Sequence, residues 1–257
     1  MARPRKSLRL AMGVLAASAI ISARTLPVPE VAFRQLYSLG PGGRVAIQNL
    51  YGDVTITAWD RDDVLVEAFK RGAGARQLAD VRIVVEPGSG TLSIRTIYND
   101  GDSQQPVRVE YRLMVPRSAR LEDVRLVNGG LDIRGVDGPV KASAVNGTIR
   151  AERLGGAVEL STVNGTVDAG FARLDRRRPI LLASVNGAIR LSLPAGAGAS
   201  VYAHNRSGGI VSAFGRACRG QGGHTLKVEL DRGGAPIRLD NVNGGIFICS
   251  AGKACGV

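Results

Sequence analysis

The chain has 257 residues, 34 lysines and arginines against 22 acidic residues (net +12), 34 glycines and only 4% aromatic residues. That length supports a sizeable core in one large or two smaller domains. Scarce aromatics and the lack of any recognised binding motif count against a nucleic-acid partner, and abundant glycine with β-branched residues suits a narrow, layered β interior.

Residues 1–23 read as a signal peptide. Arg3, Arg5, Lys6 and Arg9 precede an uncharged run, residues 10–21, that is too short to span a membrane, and Ile21-Ser22-Ala23 suits the end of a small-residue cleavage site. The expected location is therefore exported: periplasm, cell surface or medium. With no second long apolar run, no transmembrane span is expected after cleavage. The mature chain would carry +8, from 30 basic and 22 acidic residues. That charge suits anionic envelope polysaccharide, with another envelope protein as the second expected partner.

Residues 24–44, with Pro27, Pro29 and Pro41, read as a linker. Short β-prone runs follow at 45–48, 53–57 and 64–70, separated by turn residues. Residues 75–79 suit a brief helical turn. Residues 81–86 and 91–97 flank Pro87-Gly88-Ser89-Gly90 and predict a hairpin, and 99–106 is a polar loop. Alternation of Val107, Val109, Tyr111, Leu113 and Val115 predicts a strand with one buried face, ended by Pro116. Trp59 is expected to cover the end of this N-terminal sheet.

From residue 121 one pattern recurs. Val-Asn-Gly stands at 127–129, 145–147, 163–165, 185–187 and 242–244, with Arg206-Ser207-Gly208 as a degenerate copy. The corner residues are thus Asn128, Asn146, Asn164, Asn186, Ser207 and Asn243. An apolar residue recurs three places after each Asn (Leu131, Ile149, Val167, Ile189), and a further pair follows: Val136 and Val140, Leu154 and Val158, Leu174 and Ile180. Steps of 18, 18 and 22 residues fit one coil each.

The fold class predicted is all-β: a parallel β-solenoid of single-stacked coils of 18–22 residues over 121–250. An N-terminal β region, 45–120, is continuous with it, and 251–257 is a tail. Stacked in chain order, the coils from Asn128 to Asn243 would span about 29 Å. Glycine would allow positive φ at each corner, and the Asn side chains could hydrogen-bond up the stack. The competing reading makes each Asn-Gly an antiparallel hairpin turn in a sandwich. Open coil ends would invite self-association, as in a structural envelope protein.

Position +4 from the Asn alternates in sign: Asp132, Arg150, Asp168, Arg190. Asp132 and Asp168, about 9.6 Å apart by strand spacing, are the nearest thing to a paired-carboxylate site. Arg150 between them is expected to depress both acids, which favours a charge ladder over catalysis. A carbohydrate-active enzyme is the alternative class. Ser207, His204 and Asn205 do not read as a triad. No metal or cofactor is expected, since His204 and His224 lack zinc-site spacing from the cysteines.

The step of 22 comes from an insertion within 171–179 that carries Arg173, Arg176, Arg177 and Arg178: a solvated loop, or a contact for anionic polymer. Of the three cysteines, Cys218, Cys249 and Cys255, the last two could close a small loop that pins the C-terminal end.

The segment Asn49-Leu50-Tyr51-Gly52-Asp53-Val54-Thr55-Ile56, continuing through Trp59, Asp60 and Val64, resembles the opening of a bacterial family of exported proteins of unknown function labelled putative adhesins. Tyr111-Arg112-Leu113-Met114-Val115-Pro116 and the Val-Asn-Gly coils resemble the rest of it. The resemblance covers about residues 40–250 and implies a β-solenoid-like domain with an N-terminal β region. It implies an adhesin-like envelope binding or scaffold module and brings no catalytic residues. The arginine insertion and the cysteine-bearing end depart from the family pattern.

Overall fold

The computed structural model describes residues 31–72, 75–99, 107–214 and 224–250. The expected signal peptide 1–23, the tail 251–257, Cys218 and Cys255 lie outside the described residues.

The elements in chain order begin with β1 (Val31–Ser38), β2 (Arg44–Tyr51), β3 (Val54–Trp59), β4 (Asp63–Arg71), α1 (Ala75–Ala79), β5 (Val81–Gly88), β6 (Thr91–Tyr98) and β7 (Arg108–Pro116). The repeat region supplies β8 (Arg120–Asn128), β9 (Leu131–Arg134), β10 (Val140–Asn146), β11 (Ile149–Leu154), β12 (Val158–Asn164), β13 (Val167–Phe171), β14 (Ile180–Asn186) and β15 (Ile189–Leu193). The chain closes with β16 (Ala199–Ser207), β17 (Ile210–Ser212), β18 (Thr225–Leu230), β19 (Ala235–Asn243) and β20 (Ile246–Ser250). The protein is all-β. Residues 31–38, expected within the linker, instead form β1, which pairs with β4.

The strands make two ten-stranded sheets. Sheet 1 runs β1-β4-β7-β3-β9-β11-β13-β15-β20-β17, and sheet 2 runs β18-β16-β19-β14-β12-β10-β8-β2-β6-β5. Most repeat units place one strand in sheet 2, turn a corner and place the next in sheet 1. Neighbouring units pair in parallel, so the corners are not antiparallel hairpins.

A uniformly parallel stack is nevertheless not the architecture. The pairs β1/β4, β4/β7, β5/β6 and β16/β18 are antiparallel. Where β4 to β6 and β18 adjoin their partners, they flank the outer coils and cover their edges, which would otherwise expose unpaired backbone groups.

The stack also departs from chain order at both ends. The β2–β3 coil lies between β6–β7 and β8–β9, so the chain's first coil is not its outermost. The β19–β20 coil lies between β14–β15 and β16–β17. The corner sequence is therefore Asn128, Asn146, Asn164, Asn186, Asn243, Ser207. Four steps separate Asn128 from Asn243, about 19 Å rather than 29 Å. The 36 residues between the Ser207 and Asn243 corners run from the end of β16 through β17 and β18 to β19.

Period-2 alternation fills the space between the sheets. In β10, β12 and β14, positions 1, 3 and 5 are buried and the residues between them face water. Leu121, Val140, Val158, Ile180, Ile237 and Val201 form one aliphatic column through sheet 2. Leu131, Ile149, Val167, Ile189 and Ile246 form its counterpart in sheet 1. Each side chain so buried contributes about 1.5–3 kcal/mol. In the half-turn, Phe171, not Leu174, occupies the place of Leu154.

Candidate functional site

The corners are built by close approach. A Cβ on Gly147 would stand 1.9 Å from the carbonyl oxygen of Gly129, and one on Gly165 would stand 2.1 Å from that of Gly147. Gly129, Gly147 and Gly165 are not in the left-handed region, so freedom of φ is not why glycine stands there. The missing side chain lets one corner sit on the next, and each of these Gly N–H groups donates to the Asn carbonyl of the adjoining coil.

The corner Asn side chains then form a ladder. Asn146 Nδ2 donates to Asn128 Oδ1 at 2.8 Å, Asn164 to Asn146 at 2.8 Å, Asn186 to Asn164 at 2.9 Å and Asn243 to Asn186 at 2.9 Å. Ser207 follows Asn243 in register. At the other end Tyr51-Gly52 takes the Asn-Gly place, with Tyr51 beside Asn128 and a Gly52 Cβ only 2.3 Å from the Val109 carbonyl oxygen.

A second, inner column lies two residues before the corner. Thr162 Oγ1 donates to the Gly147 carbonyl (3.0 Å), Ser184 Oγ to Gly165 (3.0 Å), Asn241 Nδ2 to Gly187 (3.1 Å) and Asn205 Nδ2 to Gly244 (2.8 Å). These buried polar groups satisfy corner carbonyls that would otherwise be costly to bury. Sequence reasoning passed over them. Their signal was an aligned position that shifts from Leu126 and Ala144 to Thr162, Ser184 and Asn241. Asn49 does the same at the N-terminal end, bonding the Gly52 and Val109 carbonyls at 3.0 and 2.8 Å. Its Oδ1 accepts from Thr96, whose hydroxyl lies 2.7 Å from that of Tyr111. Burial pushes the Tyr111 phenol up to about 12.

The valine of each Val-Asn-Gly faces outward. Val145 and Val163 are 41% exposed and Val185 39%. Register places Leu50, Val127, Val145, Val163, Val185 and Val242 in a single file on the outer face of sheet 2. Five spacings make it about 24 Å long. Beside it run Ser143, Ser161 and Ala183, and the two files line a shallow groove of 480 Å³. Of the seven exposed large hydrophobic residues described, five lie on this face: Leu50, Val145, Val163, Leu181 and Val185. Three charge pairs lie around them, Lys141 with Glu159 at 3.0 Å, Arg125 with Asp123 at 2.5 Å and Arg238 with Asp240 at 2.6 Å. Arg206, beside Val242 at the end of the file, also lines the groove, is exposed and makes no ion pair among the described residues.

The outer face of sheet 1 carries the alternating file Asp132, Arg150, Asp168, Arg190, in adjacent register. Asp132 Oδ2 accepts from Arg134 at 2.8 Å, and Arg190 stacks on Phe247 at 5.9 Å. Half-burial raises the Asp168 carboxyl above its ordinary range, an effect that Arg150 and Arg190 oppose but do not cancel. Arg150 thus depresses Asp168 as expected, but burial outweighs it and the net direction is upward. Neither acid lines the groove on sheet 2. His204 lies 3.3 Å from Thr225 Oγ1, while Ser207 sits at the corner beside Asn243.

The four inserted arginines divide. Arg173 pairs with Asp137 (3.2 Å) and Arg178 with Asp175 (3.1 Å), whereas Arg176 and Arg177 are exposed and make no ion pair among the described residues. Cys249 is disulfide-bonded, and its expected partner Cys255 lies outside the described residues. Trp59, the last residue of β3, closes a turn: its Nε1 donates to the Asp63 carbonyl at 2.8 Å and Arg61 lies over its ring. Among the described residues no three His, Cys, Asp or Glu side chains are grouped to hold a metal, and no helix is long and apolar enough to cross a membrane.

No family model matches the chain, and no curated protein is similar to it. Its fold is shared with a solved structure. A putative cell adhesion protein from Clostridium sporogenes superposes with a TM-score of 0.52 at 13% identity, over 87% of this chain and 100% of that one. A putative adhesin from Bacteroides fragilis aligns over 85% of this chain and 96% of its own, at 10% identity and a TM-score of 0.33. One from Parabacteroides merdae aligns over 85% and 95%, at 8% identity and a TM-score of 0.31. The first likeness establishes a common fold only.

Proposed function

We propose that the protein is an exported, non-catalytic, adhesin-like binding or scaffold module of the cell envelope, and that the outer face of sheet 2 is its contact surface for another envelope protein. One observation carries this reading: the outward-facing apolar file from Leu50 to Val242, in which Leu50, Val145, Val163 and Val185 are exposed and Val127 and Val242 half-buried. Soluble surfaces scatter apolar residues singly, and an outward-facing apolar file with a polar rim marks a contact site. Because the neighbouring charges are paired, except for Arg206 at one end of the file, the face suits apolar side chains of a protein better than a polyanion. The adhesion label of the protein that shares the fold supports the same reading.

Co-sedimentation with the envelope fraction of the source organism tests it. The mature protein is expected to pellet with native envelopes and not with protease-stripped ones. Replacing Val145, Val163 and Val185 together by Ser is expected to weaken that retention at least tenfold, as loss of a central apolar anchor does. Equal retention of the triple variant, or of the wild type on stripped envelopes, would refute the assignment.

A further inference from the structure

At the opposite corner the arginine loop 172–179 rests on neighbouring coils. Arg178 Nη1 donates to the carbonyls of Asp137 and Gly155 at 3.1 and 3.3 Å, and Arg173 reaches Asp137. These two arginines fasten the loop to the stack. Asp175 Oδ1 accepts the Arg177 backbone N–H at 3.0 Å and shapes the turn. Arg176 and Arg177 are thereby held outward on a supported loop.

Arg153 joins them. Its φ is 54°, in the left-handed region, at the point where the pairing of β11 with β13 slips between Ala151 and Leu154. For a long side chain that conformation costs about 1–2 kcal/mol, whereas glycine would adopt it freely. The bulge leaves both Glu152 and Arg153 exposed, and bulges commonly re-aim side chains next to functional sites. Two residues on, the Arg173 Nε lies 3.0 Å from where a Gly155 Cβ would stand, so the bulge and the arginine loop adjoin. Arg153 makes no ion pair among the described residues.

We infer that Arg153, Arg176 and Arg177 form a binding edge for an anionic polysaccharide bearing sulfate or carboxylate groups. Guanidinium groups recognise such oxyanions through paired N–H donors. Phe171, the aromatic residue adjoining the loop in sequence, is buried, and no described aromatic ring contacts Arg153, Arg176 or Arg177, so the edge shows no platform of the kind on which nucleobases stack. This edge shares no residue with the valine file, and either assignment can fail without the other.

Heparin is the probe. The wild type is expected to bind it in a salt-dependent way. The triple variant Arg153→Gly, Arg176→Ser, Arg177→Ser is expected to bind about tenfold more weakly at low ionic strength, a change of about 1.4 kcal/mol. Arg153→Gly alone is expected to weaken binding while leaving the melting temperature unchanged or higher, because it relieves the left-handed backbone. Arg95→Ser, which removes an exposed arginine paired with Glu86, is the control and should bind as the wild type does. Wild-type affinity in the folded triple variant overturns the proposal, as does an equal loss in the control. Displacement of heparin by single-stranded DNA at equal charge concentration would overturn the choice of polysaccharide.

Discussion

Gly147→Ala is expected to destabilise the protein by about 3 kcal/mol or more, toward the upper end of what overpacking does. The new methyl carbon would stand 1.9 Å from the carbonyl oxygen of Gly129. That oxygen is backbone, so no side chain can swing aside. Relief requires separating two coils whose strands pair on both sides of the corner, through Ala144 beside Leu126 and Ile149 beside Leu131. It would also strain the hydrogen bond from Gly129 N to the Asn146 carbonyl. Gly209→Ala is the matched control. A Cβ there meets nothing within 4 Å, and the backbone is not left-handed, so the change should stay within about 0.5 kcal/mol. Denaturant midpoints of the two variants measure the contrast, and equal midpoints would remove the close-approach explanation of the corners.

Leu160→Ala is expected to cost about 2–5 kcal/mol, the range for a buried leucine that leaves a cavity. Leu160 is 1% exposed and lies between Ala142 and Leu182 in the register of sheet 2. The small Ala142 on one side leaves little that could collapse into the space. Val163→Ala, three residues further along the same strand, should change stability by no more than about 0.5 kcal/mol, because that valine faces outward. Thermal or chemical unfolding of both variants checks the inside-outside assignment of β12. A Val163→Ala loss as large as that of Leu160→Ala would contradict it.

Much of this was legible in the residues. The spacing of the corner Asn residues carries the parallel pairing of β10, β12 and β14, since a fixed period and equivalent apolar positions have one economical stacking. Alternation gave the inward set, including Val140, Val158 and Ile180. What alternation also implies, that the valine before each Asn points outward, becomes a functional observation only when the files are set side by side in space. Coil order was not legible. Ser207 and Asn243 each carry a corner, and nothing in their local sequence says which adjoins Asn186. The placement is decided by nonlocal pairing of β19 with both β14 and β16. Tyr51-Gly52 escaped the alignment because a tyrosine stands where the ladder has Asn. The division of labour among Arg173, Arg176, Arg177 and Arg178 depends on Asp137, some forty residues away in the chain, which loop composition does not reveal.

Paired cysteine substitutions test the layered arrangement most directly. Ala183 and Asp240 are register neighbours on adjoining strands, and His204 lies one strand beyond Asp240. Neighbouring strands bring Cα atoms within the 4.4–6.8 Å span of a disulfide, whereas two spacings, about 9.6 Å, do not. Peptide mapping after mild oxidation is therefore expected to find a bond between substituted positions 183 and 240, and none between 183 and 204. A bond between 183 and 204 instead would mean that the coils stack in chain order, which the insertion of β19 between β14 and β16 forbids.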